Sequence, residues 1–120
     1  KQAYRVDLEG DGAEEVVIAA TYYKSGQVSP SAAAGDYSFL LFRKIVGGKA
    51  KNVVVAGKFH KKAVRFGAQN EYGISSIADL NGDGKMEVVM KSRYYEGAGS
   101  VVYEIQGERL VEVLSTGCGV

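Results

Sequence analysis

The sequence contains few of the residues that carry covalent or catalytic chemistry, with one cysteine, one histidine and no tryptophan. A single cysteine, Cys118, excludes a disulfide bond within the chain. The lone His60 has no serine, cysteine or carboxylate pattern beside it of the kind that forms a catalytic pair. We therefore expect the protein not to be an enzyme.

The chain also lacks a long apolar run and an excess of either charge. A membrane span needs a run of about eighteen apolar residues, and none is present. Fifteen basic and fourteen acidic residues give a formal charge of +1, which argues against a nucleic-acid partner. One proline beside sixteen glycines and eight tyrosines is typical of an all-β chain with many turns. The 120 residues suffice for one domain with a core, and the start at Lys1 predicts a piece of a longer or processed protein.

The most informative stretch is nine residues long, from Asp79 to Glu87, and reads Asp-Leu-Asn-Gly-Asp-Gly-Lys-Met-Glu. Oxygen-bearing side chains occupy its first, third, fifth and ninth positions, and glycine at the sixth lets the backbone bend sharply. Calcium takes six to eight oxygen ligands at about 2.3–2.6 Å, which alternate residues of a tight turn can supply. The predicted ligands are four side chains and the carbonyl oxygen of the seventh residue: Asp79, Asn81, Asp83, Glu87 and Lys85. The alternative is a polar hairpin turn, for which Asn-Gly and Asp-Gly are also typical.

A second copy of this stretch lies 72 residues earlier, from Asp7 to Glu15. The match continues through a double valine and a double tyrosine, Tyr22-Tyr23 in the first copy and Tyr94-Tyr95 in the second. Self-similarity of this kind marks a repeat architecture. The predicted ligands of the first copy are four side chains and one carbonyl oxygen at the same positions: Asp7, Glu9, Asp11, Glu15 and Ala13. Glu9 stands where the second copy has an asparagine, and its longer side chain reaches the metal differently or not at all.

Alternating apolar residues predict four strands in each copy, joined by turns in an antiparallel meander. Tyr22 and Tyr94 share a face with apolar neighbours, and we expect both in the core. The third strand, Tyr37–Val46, places large apolar groups on both of its faces. Because two sheets can cover each other on one side only, we expect the other faces and the outer strands to stay open.

The repeat divides the chain into two units. Residues 1–72 form the first unit, with an inserted loop at 24–36 and a basic linker at 60–72, and residues 73–120 form the second. The inserted loop is rich in small polar residues and predicts a surface insertion, with a mobile or binding segment as the alternative. The linker predicts a solvated edge strand protected by lysine, with a patch facing phosphate or acidic sugar as the alternative.

The segment 72–89, which contains the second acidic stretch, resembles an FG-GAP/VCBS repeat of the integrin-like β-propeller family. In that family each repeat is one four-stranded blade, with a calcium loop between its first two strands. The resemblance covers nearly the whole chain as two repeats and implies Ca²⁺ in the acidic loops. Two blades cannot close a ring. The chain is therefore expected to belong to a longer propeller, to self-associate, or to form a small two-sheet sandwich.

The resemblance also implies a function and a location. It implies a calcium-stabilised module with a structural or adhesive role outside the cell, in the periplasm or at the cell surface. The partner would be a protein or a glycan, contacted by the inserted loop or by Tyr23 and Tyr95. The alternative is an accessory or partial domain of a secreted polysaccharide-active enzyme, because calcium-bearing propellers occur in proteins of that type.

Overall fold

Eight β-strands make up the regular structure of the chain in a computed structural model that describes residues 1–67 and 69–119. These residues contain no helix, and therefore no helix that is long and apolar enough to cross a membrane. The strands in chain order are β1 (Gln2–Val6), β2 (Glu15–Tyr22), β3 (Tyr37–Val46), β4 (Lys49–Phe59), β5 (Glu71–Ala78), β6 (Glu87–Tyr94), β7 (Gly97–Gln106) and β8 (Arg109–Gly119). The prediction of an all-β fold is confirmed.

The strands form two four-stranded antiparallel sheets, in the orders β1-β2-β3-β4 and β5-β6-β7-β8. Within each sheet, every strand pairs with its neighbour in sequence. Two-residue turns join β3 to β4, β6 to β7 and β7 to β8, and such turns connect antiparallel strands. The predicted pair of four-stranded meanders is confirmed. The second sheet begins at Glu71, two residues before the expected unit boundary.

The core lies between the sheets and contains one face of each. Along β2 and β3, the residues that point inward alternate with residues that remain partly exposed. The inward residues of both sheets form a single apolar cluster together with one leucine of the first acidic stretch: Leu8, Val17, Ala19, Leu40, Phe42, Ile74, Val88, Met90, Tyr103, Ile105 and Leu110. This shared core holds the two units together.

The opposite face of the first sheet is open, as the sequence predicts. Ile45 and Phe59 are each 59% exposed there, and Val54 is 61% exposed. Tyr22 points to the same face and is 50% exposed, so the expectation that it belongs to the core is wrong. The reason is the alternation of β2, which gives Val17 and Ala19 to the core and turns Tyr22 outward.

The inserted loop is fastened to the linker that follows β4. The carboxylate of Asp36, 1% exposed, accepts hydrogen bonds from the N–H of Lys24 at 2.9 Å and from Nε2 of Gln69 at 2.6 Å. Ala32 and Val64 form an isolated antiparallel bridge. The predicted edge strand in the linker is wrong, because in residues 60–67 and 69–70 the backbone bonds go to this loop and not to a sheet edge. Ala68, within the predicted linker, lies outside the described residues.

Candidate metal centre

The second loop (residues 79–87) connects β5 to β6 and folds around the carboxylate of Asp79. Oδ1 of Asp79 accepts the N–H of Gly82 at 2.7 Å and of Asp83 at 3.2 Å, and Oδ2 accepts the N–H of Gly84 at 2.9 Å. Asx side chains commonly organise turns through such bonds to the backbone ahead of them. The loop shape is therefore set by its own first residue.

Three carboxylates converge at this loop. One oxygen of each of Asp79, Asp83 and Glu87 lies within 4.8 Å of the others. Among residues 1–67 and 69–119 no other group of three or more His, Cys, Asp or Glu side chains meets this condition. Carboxylates at such distances repel one another, and a hard divalent cation that prefers oxygen ligands removes the repulsion.

Glu87 is the buried member of the group and is 3% exposed. Its Oε2 accepts the N–H of Leu80 at 2.6 Å, whereas its Oε1 is buried with no hydrogen-bond partner among the described residues. A buried polar atom without a partner costs about 1–3 kcal/mol, and more when it is charged. An ion bound beside Asp79 and Asp83 would supply the partner that this oxygen lacks.

The other two predicted ligands of the second loop lie in the same turn but outside this three-carboxylate group. Oδ1 of Asn81 accepts the N–H of Asp83 at 3.1 Å, and its amide nitrogen donates to Oδ2 of Asp83 at 3.4 Å. The N–H of Lys85 donates to Oδ1 of Asp83 at 2.8 Å. The roles of Asn81 and of the Lys85 carbonyl as metal ligands remain predictions.

The first loop (residues 7–15), between β1 and β2, repeats the hydrogen bonds of the second at positions 72 residues earlier. Asp7 accepts the N–H of Gly10, Asp11 and Gly12 at 2.8, 3.1 and 2.7 Å. The N–H of Ala13 donates to Asp11 at 2.9 Å, and the N–H of Leu8 donates to Oε2 of Glu15 at 2.9 Å. The repeat inferred from sequence is thus reproduced bond by bond in the two loops.

The first loop differs from the second in having a lysine beside it. The ammonium of Lys44, near the end of β3, forms an ion pair with the carboxylate of Glu9 and donates to the carbonyl of Gly107 at 3.0 Å. Glu9 therefore faces a cation that belongs to the protein. Lys44 was not predicted as part of the site; the signal in the sequence is a lysine that continues the inward alternation of Leu40 and Phe42.

The electrostatics of the first loop follow from burial and from these contacts. Burial raises the pKa of the Glu15 carboxyl, against the lowering effect of the Leu8 N–H and of Lys44. The hydrogen bond to Glu9 raises the pKa of Lys44, so its ammonium stays charged. Hydrogen bonds from backbone N–H groups lower the pKa of Asp7, and the largest contribution comes from the N–H of Gly12. The loop thus combines several carboxylates with one ammonium that is held in an ion pair.

The two loops touch each other at the same end of the molecule. The N–H of Met86 donates to the carbonyl of Leu8 at 2.8 Å. A methyl group placed on Gly10 would lie 2.8 Å from the carbonyl oxygen of Gly84. The first loop therefore supports the backbone of the second, a relation that the sequence did not predict.

A cleft of about 1030 Å³ lies elsewhere in the molecule and joins the inserted loop to both sheets. Its walls include Tyr22, Tyr23, Gln27, Tyr72, Lys91 and Arg93. Burial raises the pKa of Tyr23 to about 12, partly offset by the hydroxyl of Ser38. Tyr95, the repeat counterpart of Tyr23, is 48% exposed and is not among the residues that line this cleft.

Comparison of the chain with protein-family models, with curated proteins and with solved structures finds no match. The resemblance to FG-GAP/VCBS repeats therefore remains a prediction, carried by the acidic loop and its repetition. The fold, the carboxylate group and the cleft are the observations from which a function can be argued.

Proposed function

We propose that the protein is a non-enzymatic repeat module whose second loop binds one Ca²⁺ ion in a structural role. The observation that carries this proposal is Oε1 of Glu87, a buried carboxylate oxygen without a partner beside two further carboxylates. Calcium fits a set made only of oxygen donors, whereas zinc sites in proteins usually include histidine or cysteine. The ion would neutralise the group and fix the start of β6 against the core.

The location and biological context follow from the same proposal. Extracellular calcium modules bind with dissociation constants of about 10⁻⁴–10⁻³ M, which suits the calcium concentrations outside cells. We therefore place the module outside the cell, in the periplasm or at the cell surface, as part of an adhesive or structural assembly. The open face of the first sheet, with Val54 and Phe59 exposed, is where a further repeat or a second copy would pack.

Chelation tests the proposal directly. An ion present at a hundred times its dissociation constant stabilises a protein by roughly 2.7 kcal/mol. For a domain of this size that corresponds to a fall of about 10 °C in melting temperature on adding excess EDTA. The variant Asp83→Asn keeps the shape of the side chain but removes its charge, and it should melt at the same temperature with and without calcium.

Glu96→Gln serves as the matched control, because it also removes one carboxylate. Glu96 follows the C-terminal end of β6, whereas Glu87 is the first residue of that strand. It should retain the full response to EDTA. A wild-type melting curve that is identical with calcium and with EDTA would exclude the calcium site.

The cleft supports a second candidate function, the binding of a neutral or acidic glycan. It brings Tyr22 and Tyr23 together with the inserted loop, and Lys91 and Arg93 add positive charge to the opposite wall. Exposed tyrosine rings stack on sugar rings, and basic side chains pair with carboxylates or sulfates. Arg93 forms an ion pair with Glu71, which also lines the cleft, so Lys91 is the cation of this wall that is available to a ligand.

A glycan array with wild-type protein and the variant Tyr22→Ala tests this candidate. Binding that disappears in Tyr22→Ala, without release of any product, supports a binding module. Release of shortened saccharides would instead favour a polysaccharide-active enzyme, and no binding by wild-type protein to any glycan would exclude the candidate.

A further inference from the structure

The strand registers place opposite charges at equivalent positions beside the two loops. In the second unit, Glu87 pairs directly with Glu104 across β6 and β7. In the first unit, Val16 pairs with Arg43, and the next pair in the same register brings Lys44 beside Glu15. Lys44 and Glu104 are therefore counterparts. Cross-strand neighbours on one face lie about 4.5–5.5 Å apart at Cβ, so each lies close to the carboxylate at the start of β2 or β6.

Lys44 belongs to β3, but its side chain lies against the first loop. Its side chain is 18% exposed and that of its partner Glu9 is 22% exposed, so the pair is largely shielded from solvent. The carboxylates of Glu15 and Asp11 also act on its charge. An ammonium has three donors, and the carbonyl of Gly107 accepts one of them at 3.0 Å.

The charge balance of the two loops is consequently different. The first loop has five carboxylates, those of Asp7, Glu9, Asp11, Glu14 and Glu15. Arg5 pairs with Glu14 at 3.0 Å, and an ammonium from β3 pairs with Glu9. The second loop has three carboxylates, and the strand beside it adds a fourth, that of Glu104, instead of a cation. In the first loop an ammonium lies against the carboxylates, whereas in the second the exposed Lys85 forms no ion pair with Asp79, Asp83 or Glu87 among the described residues.

We propose that the ammonium of Lys44 takes the place of a metal ion in the first loop, so that the chain binds one Ca²⁺ per molecule, in the second loop alone. This inference rests on the proposed calcium site in the second loop. A covalently attached cation is present at any calcium concentration. The first loop is therefore folded before calcium arrives, and its contact from Leu8 to Met86 preorganises the second loop.

The binding stoichiometry of the full chain, measured by calorimetric titration with Ca²⁺, tests the proposal. Wild-type protein should bind one ion, and Lys44→Gln, which removes the ammonium, should bind two. Lys51→Gln is the matched control, because Lys51 is also a cation from the first sheet that pairs with the second, through Glu108, and it should leave the count at one. Two ions in the wild type, or one ion in folded Lys44→Gln, would overturn the proposal.

Two further variants keep the proposal testable if Lys44→Gln does not fold. Lys44→Arg keeps a cation beside Glu9 and should bind one ion. Asp11→Asn should bind one ion with wild-type affinity, whereas a loss of one of two ions would contradict the proposal. The variant Asp83→Asn separates the calcium site in the second loop from the role of Lys44 in the first. If neither this variant nor the wild type binds calcium, the site in the second loop is refuted. A single ion gained by Lys44→Gln would in that case still support the role of Lys44.

Discussion

The two acidic loops have the same backbone and different electrostatics. Five hydrogen bonds of the first loop recur in the second at positions 72 residues later. Leu8 is fully buried in the core, whereas its counterpart Leu80 is 57% exposed. Lys44 lies beside the first loop, and Glu104 occupies the equivalent position beside the second. The shape of such a loop is thus local, whereas the proposed difference in metal binding depends on the strand next to it.

The connections that follow β2 and β6 differ in a similar way. In the second unit, Tyr95 and Glu96 alone join β6 to β7, and both are exposed. In the first unit the inserted loop extends the connection and is held by the buried carboxylate of Asp36. Tyr23, directly before the insertion, is partly buried, and the insertion supplies one wall of the cleft. One unit therefore carries the proposed metal site, and the other contributes the loop that shapes the cleft.

The largest expected effect comes from making the second loop resemble the first. Glu104→Lys places an ammonium beside Glu87, where it can neutralise the carboxylates as Lys44 does in the first loop. We expect this variant to lose the calcium-dependent part of its stability, roughly 2.7 kcal/mol at saturation. Thermal melting with calcium and with EDTA measures the change.

Glu112→Lys is the control for this exchange, because it makes the same change of charge at an exposed position of β8. It should keep the response to calcium. If Glu104→Lys also keeps a full response, the charge beside the loop does not decide metal binding, and the contrast between the loops has another cause.

A smaller effect is expected from the contact between the loops. Gly10 and Gly12 both have positive φ, 71° and 88°, so alanine at either costs about 1–2 kcal/mol in backbone strain. Only at Gly10 would the added methyl approach the carbonyl of Gly84, at 2.8 Å. We expect Gly10→Ala to weaken calcium binding by the second loop several-fold and Gly12→Ala to leave it unchanged. Calorimetric titration of both variants distinguishes them, and equal affinities would show that the loops act independently.

The smallest expected effect concerns the two tyrosines and alkaline pH. Burial raises the pKa of Tyr23 to about 12, whereas the neighbouring carboxylate of Glu96 is the main cause that raises the pKa of exposed Tyr95. A tyrosine with a raised pKa in the folded state stabilises the fold below its ordinary pKa of about 10, and this contribution is lost as pH rises towards 12. Between pH 10 and 12, Tyr23→Phe should therefore lose less free energy of unfolding than the wild type.

The ultraviolet absorbance of tyrosinate and chemical denaturation at several pH values measure this difference. Tyr95→Phe is the control, because an exposed phenol contributes little to the difference between folded and unfolded chains. If Tyr23→Phe and Tyr95→Phe unfold alike between pH 10 and 12, burial of Tyr23 does not contribute to stability in this pH range.

Much of the fold could be predicted from the sequence, because it depends on neighbouring residues. Alternation of apolar side chains predicted the strands, and their succession along the chain predicted the two meanders. The acidic stretches predicted their own turns, since Asp7 and Asp79 bond to backbone groups three to five residues ahead. The convergence of Asp79, Asp83 and Glu87 follows from the same short spacing.

The expectations that were wrong depended on contacts between distant residues. The linker was expected to form an edge strand, but Gln69 bonds to Asp36 across 33 positions and His60 is buried against the inserted loop. Tyr22 was expected in the core, but the sheets packed through the other face of β2. Both apolar faces of that strand looked suitable, and only the packing of the second sheet distinguished them.

The sequence by itself determined the strands, the repeat and the shape of both loops, because each arises from contacts within a few residues or across one turn. The tertiary structure alone decided which loop has a cation of its own, since Glu9 and Lys44 are 35 positions apart and Gly107 is 63 positions beyond Lys44. It also decided that one oxygen of Glu87 is buried without a partner. Burial and counter-charge are properties of the packed molecule, because they depend on strands that meet only when the sheets form and close over the core.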